Sequence, residues 1–167
     1  MPPRRSSPAH QPPVGADGAR SAFQLAVDDL LYATGASRAT LRLDWPEWGL
    51  HVDDVAAEAL APGIESLKGK TSIDQRWAAT VRWLERERRP LIQEDCSSAD
   101  EPPPPDLLRI YGVRAQMLGP VVWSGRLVGW VSVHETRSER RWSRDDATAL
   151  DQAMTAVECA LLEYSAG

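Results

Sequence analysis

The side chains able to do chemistry in this chain recur at a spacing of two. Trp130, Ser132 and His134 alternate with Val131 and Val133, and Thr40, Arg42 and Asp44 alternate with Leu41 and Leu43. Successive residues of a strand point to opposite faces, so an indole, a hydroxyl and an imidazole share one face of one strand. A hydroxyl, a guanidinium and a carboxylate share one face of the other. Were the two strands neighbours, an arginine fork beside hydroxyl and imidazole groups would suit a carboxylate or another planar anion. Gln116 and Glu58 fall at matching positions of two further strands, Trp77 sits where it can roof such a face, and Cys96 lies in a Pro-rich loop that can reach its rim. The candidate ligand-binding set is therefore Thr40, Arg42, Glu58, Trp77, Cys96, Gln116, Trp130, Ser132 and His134.

Each member also has a plain structural role open to it. Arg42 and Glu58 can form a cross-strand ion pair on a wet sheet face. His134 can be a satisfied histidine at a strand end, or an imidazolium whose contact with an anion weakens between about pH 5.5 and 7.5. Trp77 falls at helical spacing and can belong to a core. Glu94 and Asp95 precede Cys96 and should raise its pKa. Cys159 reads as a small packed hydrophobe.

The elements that position these residues follow from periodicity and punctuation. Ser21, with Gln24 three residues on, opens a helix whose stripe is Phe23, Ala26, Val27, Leu30 and Leu31, and Gly35 ends it. Residues 40–45 and 54–60 alternate as strands. Ser72, with Gln75, opens a second helix lined by Trp77, Ala78, Val81 and Leu84, with Trp83 beside that face, closed before Pro90. Residues 91–93 form a short strand, 94–105 a loop ending in four prolines, and 106–111 a helical turn. Residues 114–135 form a hairpin about Ser124-Gly125, with Leu127, Gly129, Val131 and Val133 expected on one face of its second strand. Ser143, with Asp146, caps a last helix on which Ala147, Leu150, Met154, Val157, Leu161 and Tyr164 are spaced 3-4-3-4-3. This order gives an α+β plan with an antiparallel sheet of five or six strands.

Composition narrows the function classes. The 167 residues, 43% hydrophobic and 26% charged, suit one globular domain and a tail. Residues 1–20 hold five prolines and little that is apolar, so they read as a disordered tail before a domain over 21–167. The net charge is −5, and the first twenty residues carry +2 of it, leaving −7 on the domain. That argues against a nucleic-acid surface. The one basic run, Arg137, Arg140, Arg141 and Arg144, is broken by acids and reads as a solvated loop and helix start. Two cysteines form neither a metal motif nor a disulfide framework. No apolar run nears the ~18 residues of a membrane span, and the start lacks a signal-peptide core, so a cytoplasmic protein is expected. No phosphate loop, nucleophile elbow or His–Cys metal cluster is present.

The chain resembles the GAF family of sensory domains over about residues 21–164. The residues carrying the resemblance are Leu30-Leu31 with 34–41, Arg89-Pro90-Leu91-Ile92 before Asp95, Gly119-Pro120-Val121-Val122, Arg126-Leu127-Val128-Gly129, and 140–146 with Ala149-Leu150. The resemblance implies terminal helices on one sheet face and a small-ligand pocket on the other, PAS-like in plan. It makes the first and last strands neighbours, which brings Arg42 toward Ser132 and His134. It implies a sensor that binds a small anionic or polar metabolite and acts in trans through a protein partner. The terminal helices would form a homodimer with Met154, Val157 and Leu161 in a shared core and small alanines (149, 153, 156, 160) easing the approach; the alternative is a monomer whose whole stripe is spent on the sheet. The alternative is an enzyme in the same pocket, similar to the methionine sulfoxide reductases of the family, using His134 and Cys96. Those relatives group several cysteines at the pocket, and this chain does not. No cofactor is expected. Bilin-binding relatives often follow the pocket cysteine with His, whereas Ser97 follows Cys96. Haem-binding relatives place a His where 105–113 holds none.

Overall fold

The computed structural model describes residues 14–70 and 74–166. The elements are α1 (Ala16–Thr34), β1 (Arg38–Leu43), β2 (Ala57–Leu60), α2 (Ala79–Glu87), β3 (Leu91–Gln93), α3 (Pro105–Arg109), β4 (Ala115–Trp123), β5 (Arg126–Glu135) and α4 (Arg144–Ser165). Short 3-10 turns occupy Pro46–Trp48, Gln75–Trp77 and Cys96–Ser98. Five strands form one sheet in the order β2-β1-β5-β4-β3, every neighbouring pair antiparallel. Among the described residues no helix is long and apolar enough to cross a membrane.

The sheet separates two layers. On one face Ala39, Leu41, Leu43, Met117, Val121, Val131 and Val133 pack under Phe23, Val27 and Leu30 of α1 and Leu150, Val157 and Leu161 of α4. This is the main core. On the other face a smaller cluster joins Leu118, Leu127 and Trp130 to Val81 and Leu84 of α2 and to Val52. That face is only partly covered, and the polar residues of β1, β4 and β5 lie on it.

Several expectations are revised. α1 begins at Ala16 behind Gly15 (φ 84°), and Ser21 is exposed within it. Gln24 caps nothing there; its amide donates to the Glu58 carbonyl at 2.7 Å. The extra turn buries Ala16 and Ala19 against α4, and a Cβ at Gly18 would strike the Tyr164 ring. Small residues, not an apolar stripe, make this contact. β2 is shorter than 54–60. Ser72 lies outside the described residues, as does 1–13 of the expected tail; α2 starts only at Ala79, and Trp77, 73% exposed, leaves its buried stripe.

The hairpin turns at Ser124 (φ 50°) and Gly125 (φ 74°), the left-handed pair a two-residue turn requires. Its second strand does not alternate throughout. Val121 pairs with Gly129 but Val122 with Leu127, so Val128 is an extra residue in β5. This bulge moves Leu127 to the face of Trp130, away from Val131 and Val133.

α4 starts at the expected cap. Ser143 Oγ accepts from Asp146 N, and Asp146 Oδ2 accepts from Ser143 N. Val157 and Leu161 are fully buried within this chain, as are Ala149, Ala153 and Ala160, so none is left for a second copy; Ala156 and Cys159 are exposed. Of the basic run, Arg137, Arg141 and Arg144 are exposed as expected, and Arg140 alone is drawn into the structure. Arg140 donates to the Thr34 carbonyl, pairs with Glu135 and Asp146 at 3.2 and 3.1 Å, and stacks on Trp142.

Candidate functional site

The half-covered sheet face forms the floor of a cavity of about 820 Å³. β1 and β5 set its order by register: Arg38 opposes His134, Thr40 opposes Ser132, and Arg42 opposes Trp130. β4 adds Gln116 and Leu118. The roof is Gln75–Val81, with Trp77 at the mouth, and the far wall is Pro102–Leu107 with Arg109 and Tyr111.

Of the nine residues singled out from the sequence, Thr40, Arg42, Trp77, Gln116, Trp130, Ser132 and His134 line this cavity; Glu58 and Cys96 do not. Glu58 accepts from Ser66 Oγ and, at 2.7 Å, from Leu67 N, so it fastens the loop after β2 and makes no ion pair with Arg42. Cys96 is buried behind Gln93, with Sγ 3.9 Å from Gln93 Oε1, and burial with the charge of Asp95 pushes its thiol up to about 12. Trp83 packs beside the smaller core cluster with Arg89 over its ring. Asp44 lies at the cavity's edge, where it accepts from Val52 N and pairs with Arg76.

Arg42 is held by one end. Its Nη1 donates to the carbonyls of Val52 and Asp53 at 3.0 and 2.9 Å. Its Nε and Nη2 have no partner among the described residues. The same loop is tied to the roof, because Asp53 Oδ1 accepts from Gln75 N at 3.0 Å. The Arg42 guanidinium on the floor and the start of the roof at Gln75 are thus joined through Val52-Asp53.

Arg38 is a site residue that sequence reasoning missed, because the first strand was begun at Thr40. It is fully buried, and Nε and Nη2 donate to the Glu65 carbonyl while Nη1 lies 3.1 Å from His134 Nδ1. A guanidinium can only donate, so Nδ1 accepts and the proton of neutral His134 sits on Nε2. Burial, with Arg38 and Arg42 nearby, holds the imidazole pKa well below 6.5. The imidazolium contact expected from the sequence is therefore reversed: His134 offers the cavity a neutral N–H. Register also places it four residues from the level of Arg42, roughly 13 Å along the strand.

Among the described residues, the buried lining side chains of Thr40, Arg42, Thr80, Gln116, Trp130, Ser132 and His134 each carry a donor or acceptor that meets no protein partner. None is more than 7% exposed. Among the described residues no fully enclosed side-chain polar atom lacks a partner, so these groups open into the cavity itself.

Residues 19–161 match the model of the GAF domain family. The chain belongs to that family. GAF domains are in general small-molecule-binding sensory domains. No protein of curated function matches the chain. Similar solved structures include the blue-light-absorbing form of the Thermosynechococcus elongatus PixJ GAF domain (18% identity, 95% of each chain, TM-score 0.67). Others are a phycocyanobilin-bound GAF domain from a cyanobacterial phytochrome (18%, 87% of each chain, 0.65) and a type II free methionine-R-sulfoxide reductase from Thermoplasma acidophilum (12%, 90% of this chain and 96% of that one, 0.66). At these identities the likeness is one of fold, and the GAF plan of terminal helices on one sheet face and a cavity on the other is what this chain shares with them.

Proposed function

We propose that this GAF domain is a cytoplasmic sensor that binds a small polar or anionic molecule in the cavity and passes the signal in trans to a protein partner. The observation that carries this reading is the set of buried side chains lining one cavity that each keep a donor or acceptor no protein group pairs. Without a ligand these groups bond water, and a ligand that takes its place gains about 0.5–1.5 kcal/mol net for each hydrogen bond it makes. The tie from Arg42 through Asp53 to the roof gives the bound state a route to the surface.

The enzyme reading has less support. Neither cysteine lines the cavity: Cys96 lies behind Gln93 with its thiol pushed up, and Cys159 is on α4, which packs on the opposite sheet face. A thiolate nucleophile, or a thioether to a bilin, has no residue at the site to supply it.

The reading includes a homodimer. With Val157 and Leu161 spent inside the chain, the face offered to a second copy is the next row of α4. Thr148, Gln152, Thr155, Cys159 and Leu162 are exposed there, uncharged and spaced 4-3-4-3, and α1 adds exposed Leu25 and Tyr32. Light scattering is expected to give about twice the 18.4 kDa chain mass; a monomer at high micromolar concentration contradicts this.

The ligand test is a thermal-shift screen of a metabolite library followed by calorimetry. One site per chain is expected, with affinity falling about ten- to a hundredfold in Arg42→Met. A library that stabilises nothing, or a ligand indifferent to Arg42, contradicts the reading.

A further inference from the structure

We infer that the ligand is an elongated aromatic carboxylic acid, its carboxylate on Arg42 and a hydrogen-bond acceptor at its far end on His134. This rests on the reading of the cavity as the ligand site and goes beyond it to the ligand's chemical class.

The acid end follows from how Arg42 is held. Both carbonyl bonds use Nη1, which fixes the plane of the guanidinium. The edge left without a partner is Nε with Nη2. These two N–H groups lie side by side and point the same way, a fork that matches the two oxygens of a carboxylate. Arg42 is buried and makes no ion pair with any described carboxylate. Burial lowers its pKa, and the acids that act against this do so from a distance. A ligand carboxylate on that fork supplies the missing counter-charge. The other lining charges are exposed, unlike Arg42: Lys70 and Asp74 lie on the surface, and Asp106 and Arg109 face each other at 3.9 Å on an exposed helix.

The length follows from register. His134 sits opposite Arg38, four residues along β1 from Arg42, roughly 13 Å away between backbones. One carboxylate cannot meet both side chains as the sequence reading supposed. Arg38 takes His134 Nδ1, so the imidazole presents Nε2–H, a neutral donor that wants a neutral acceptor. Between the two ends lie the hydroxyls of Thr40 and Ser132, an opposed pair, with apolar Leu118 beside Ser132 on β4, and together they can line a flat molecule.

The aromatic body follows from what flanks the acid end. Trp130 is the register partner of Arg42, and Trp77 stands at the mouth above. Indoles favour flat ring systems through offset stacking. A cavity of about 820 Å³ holds two or more fused rings with room for water.

The test compares three probes on the full chain by calorimetry and tryptophan fluorescence: 6-hydroxy-2-naphthoate, its carboxamide, and 2-naphthoate. The hydroxy-acid is expected to bind at least tenfold tighter than the amide, since the amide forfeits the charge-assisted fork, and at least threefold tighter than 2-naphthoate, which lacks the far acceptor. His134→Phe is expected to erase the second difference and leave the first. A smaller preference for acid over amide overturns the inference, and so does a 6-hydroxyl that His134→Phe does not affect. The probe comparison on the unmodified chain stands even where Arg42 variants fail to fold. If no naphthalene probe binds but a library compound does, the ligand class is wrong and the sensor reading stands; if nothing binds, both fall.

Discussion

Replacing Glu135 by Gln probes how the site end of the sheet is anchored. Glu135 follows His134 on β5 and accepts from Ser37 Oγ at 2.8 Å, from Arg137 at 2.9 and 3.0 Å and from Arg140 at 3.2 Å. These partners belong to the link from α1 to β1 and to the loop before α4, so one carboxylate ties the approaches to both terminal helices to the central strands. Burial opposes its ionisation, but hydrogen bonds from Arg137 and Ser37 with the Arg137 charge win, and its pKa falls from 4.5 to about 2. A difference of that size corresponds to at most about 3 kcal/mol at neutral pH. Arg137 is 64% exposed, so solvent screening reduces this to roughly 1.5–2 kcal/mol. The sign is that of a depressed acid. The stabilisation is complete above the unfolded pKa of 4.5 and is lost as pH falls toward 2. Glu135→Gln should therefore melt about 4–8 °C below the wild type at pH 7, and the gap should close steadily below pH 4.5. Thermal denaturation by circular dichroism across pH 2–8 measures this. A gap independent of pH, or none at pH 7, refutes the assignment of the stabilisation to this charge.

Three further outcomes follow from the same structure. His134 is held neutral by burial and by Arg38 and Arg42, so its imidazole NMR signals should not titrate between pH 5.5 and 7.5. Because the unfolded chain takes up this proton and the folded one does not, stability should fall as pH drops below 6.5; a His134 midpoint inside the window contradicts both statements. A disulfide-exchange reagent at pH 8 should label one thiol per folded chain, the exposed Cys159, and two after denaturation, because Cys96 is buried with its thiol at about 12; fast labelling of Cys96 in the folded protein would return thiol chemistry to the cavity. Gly129→Ala should destabilise far more than Gly119→Ala, since the new Cβ strikes the Arg42 carbonyl oxygen in one case and the flexible Met154 side chain in the other; equal chemical-denaturation midpoints would contradict that ordering.

Much of the fold was legible because period and punctuation agreed. Ser124-Gly125 set the hairpin, Ser143 with Asp146 set α4, and the alternation of 130–134 and 40–43 placed five of the nine candidates on one cavity. What was not legible depended on contacts distant in sequence. Nothing local says that Gly18 must admit Tyr164, so α1 was begun too late. Val128 looks like any strand residue, and only pairing with Val121 and Val122 reveals the bulge that turns Leu127 over. The pairing register explains why Arg42 and His134 stand apart, and why Arg38, not a ligand, is the histidine's neighbour. Glu58 and Cys96 have the right chemistry on the right elements, but their polar atoms are engaged by Ser66, Leu67 and Gln93.

The central claim, that the half-covered sheet face is a ligand site, is tested most directly by the indole N–H resonances of the seven tryptophans during titration with a compound from the thermal-shift screen. Trp77 and Trp130 line the cavity, whereas Trp45, Trp48, Trp123 and Trp142 pack in or against the core on the opposite face. Saturation should shift the first two and leave those four in place. Movement confined to Trp45, Trp48, Trp123 and Trp142, with Trp77 and Trp130 still, would put the ligand elsewhere and contradict the account.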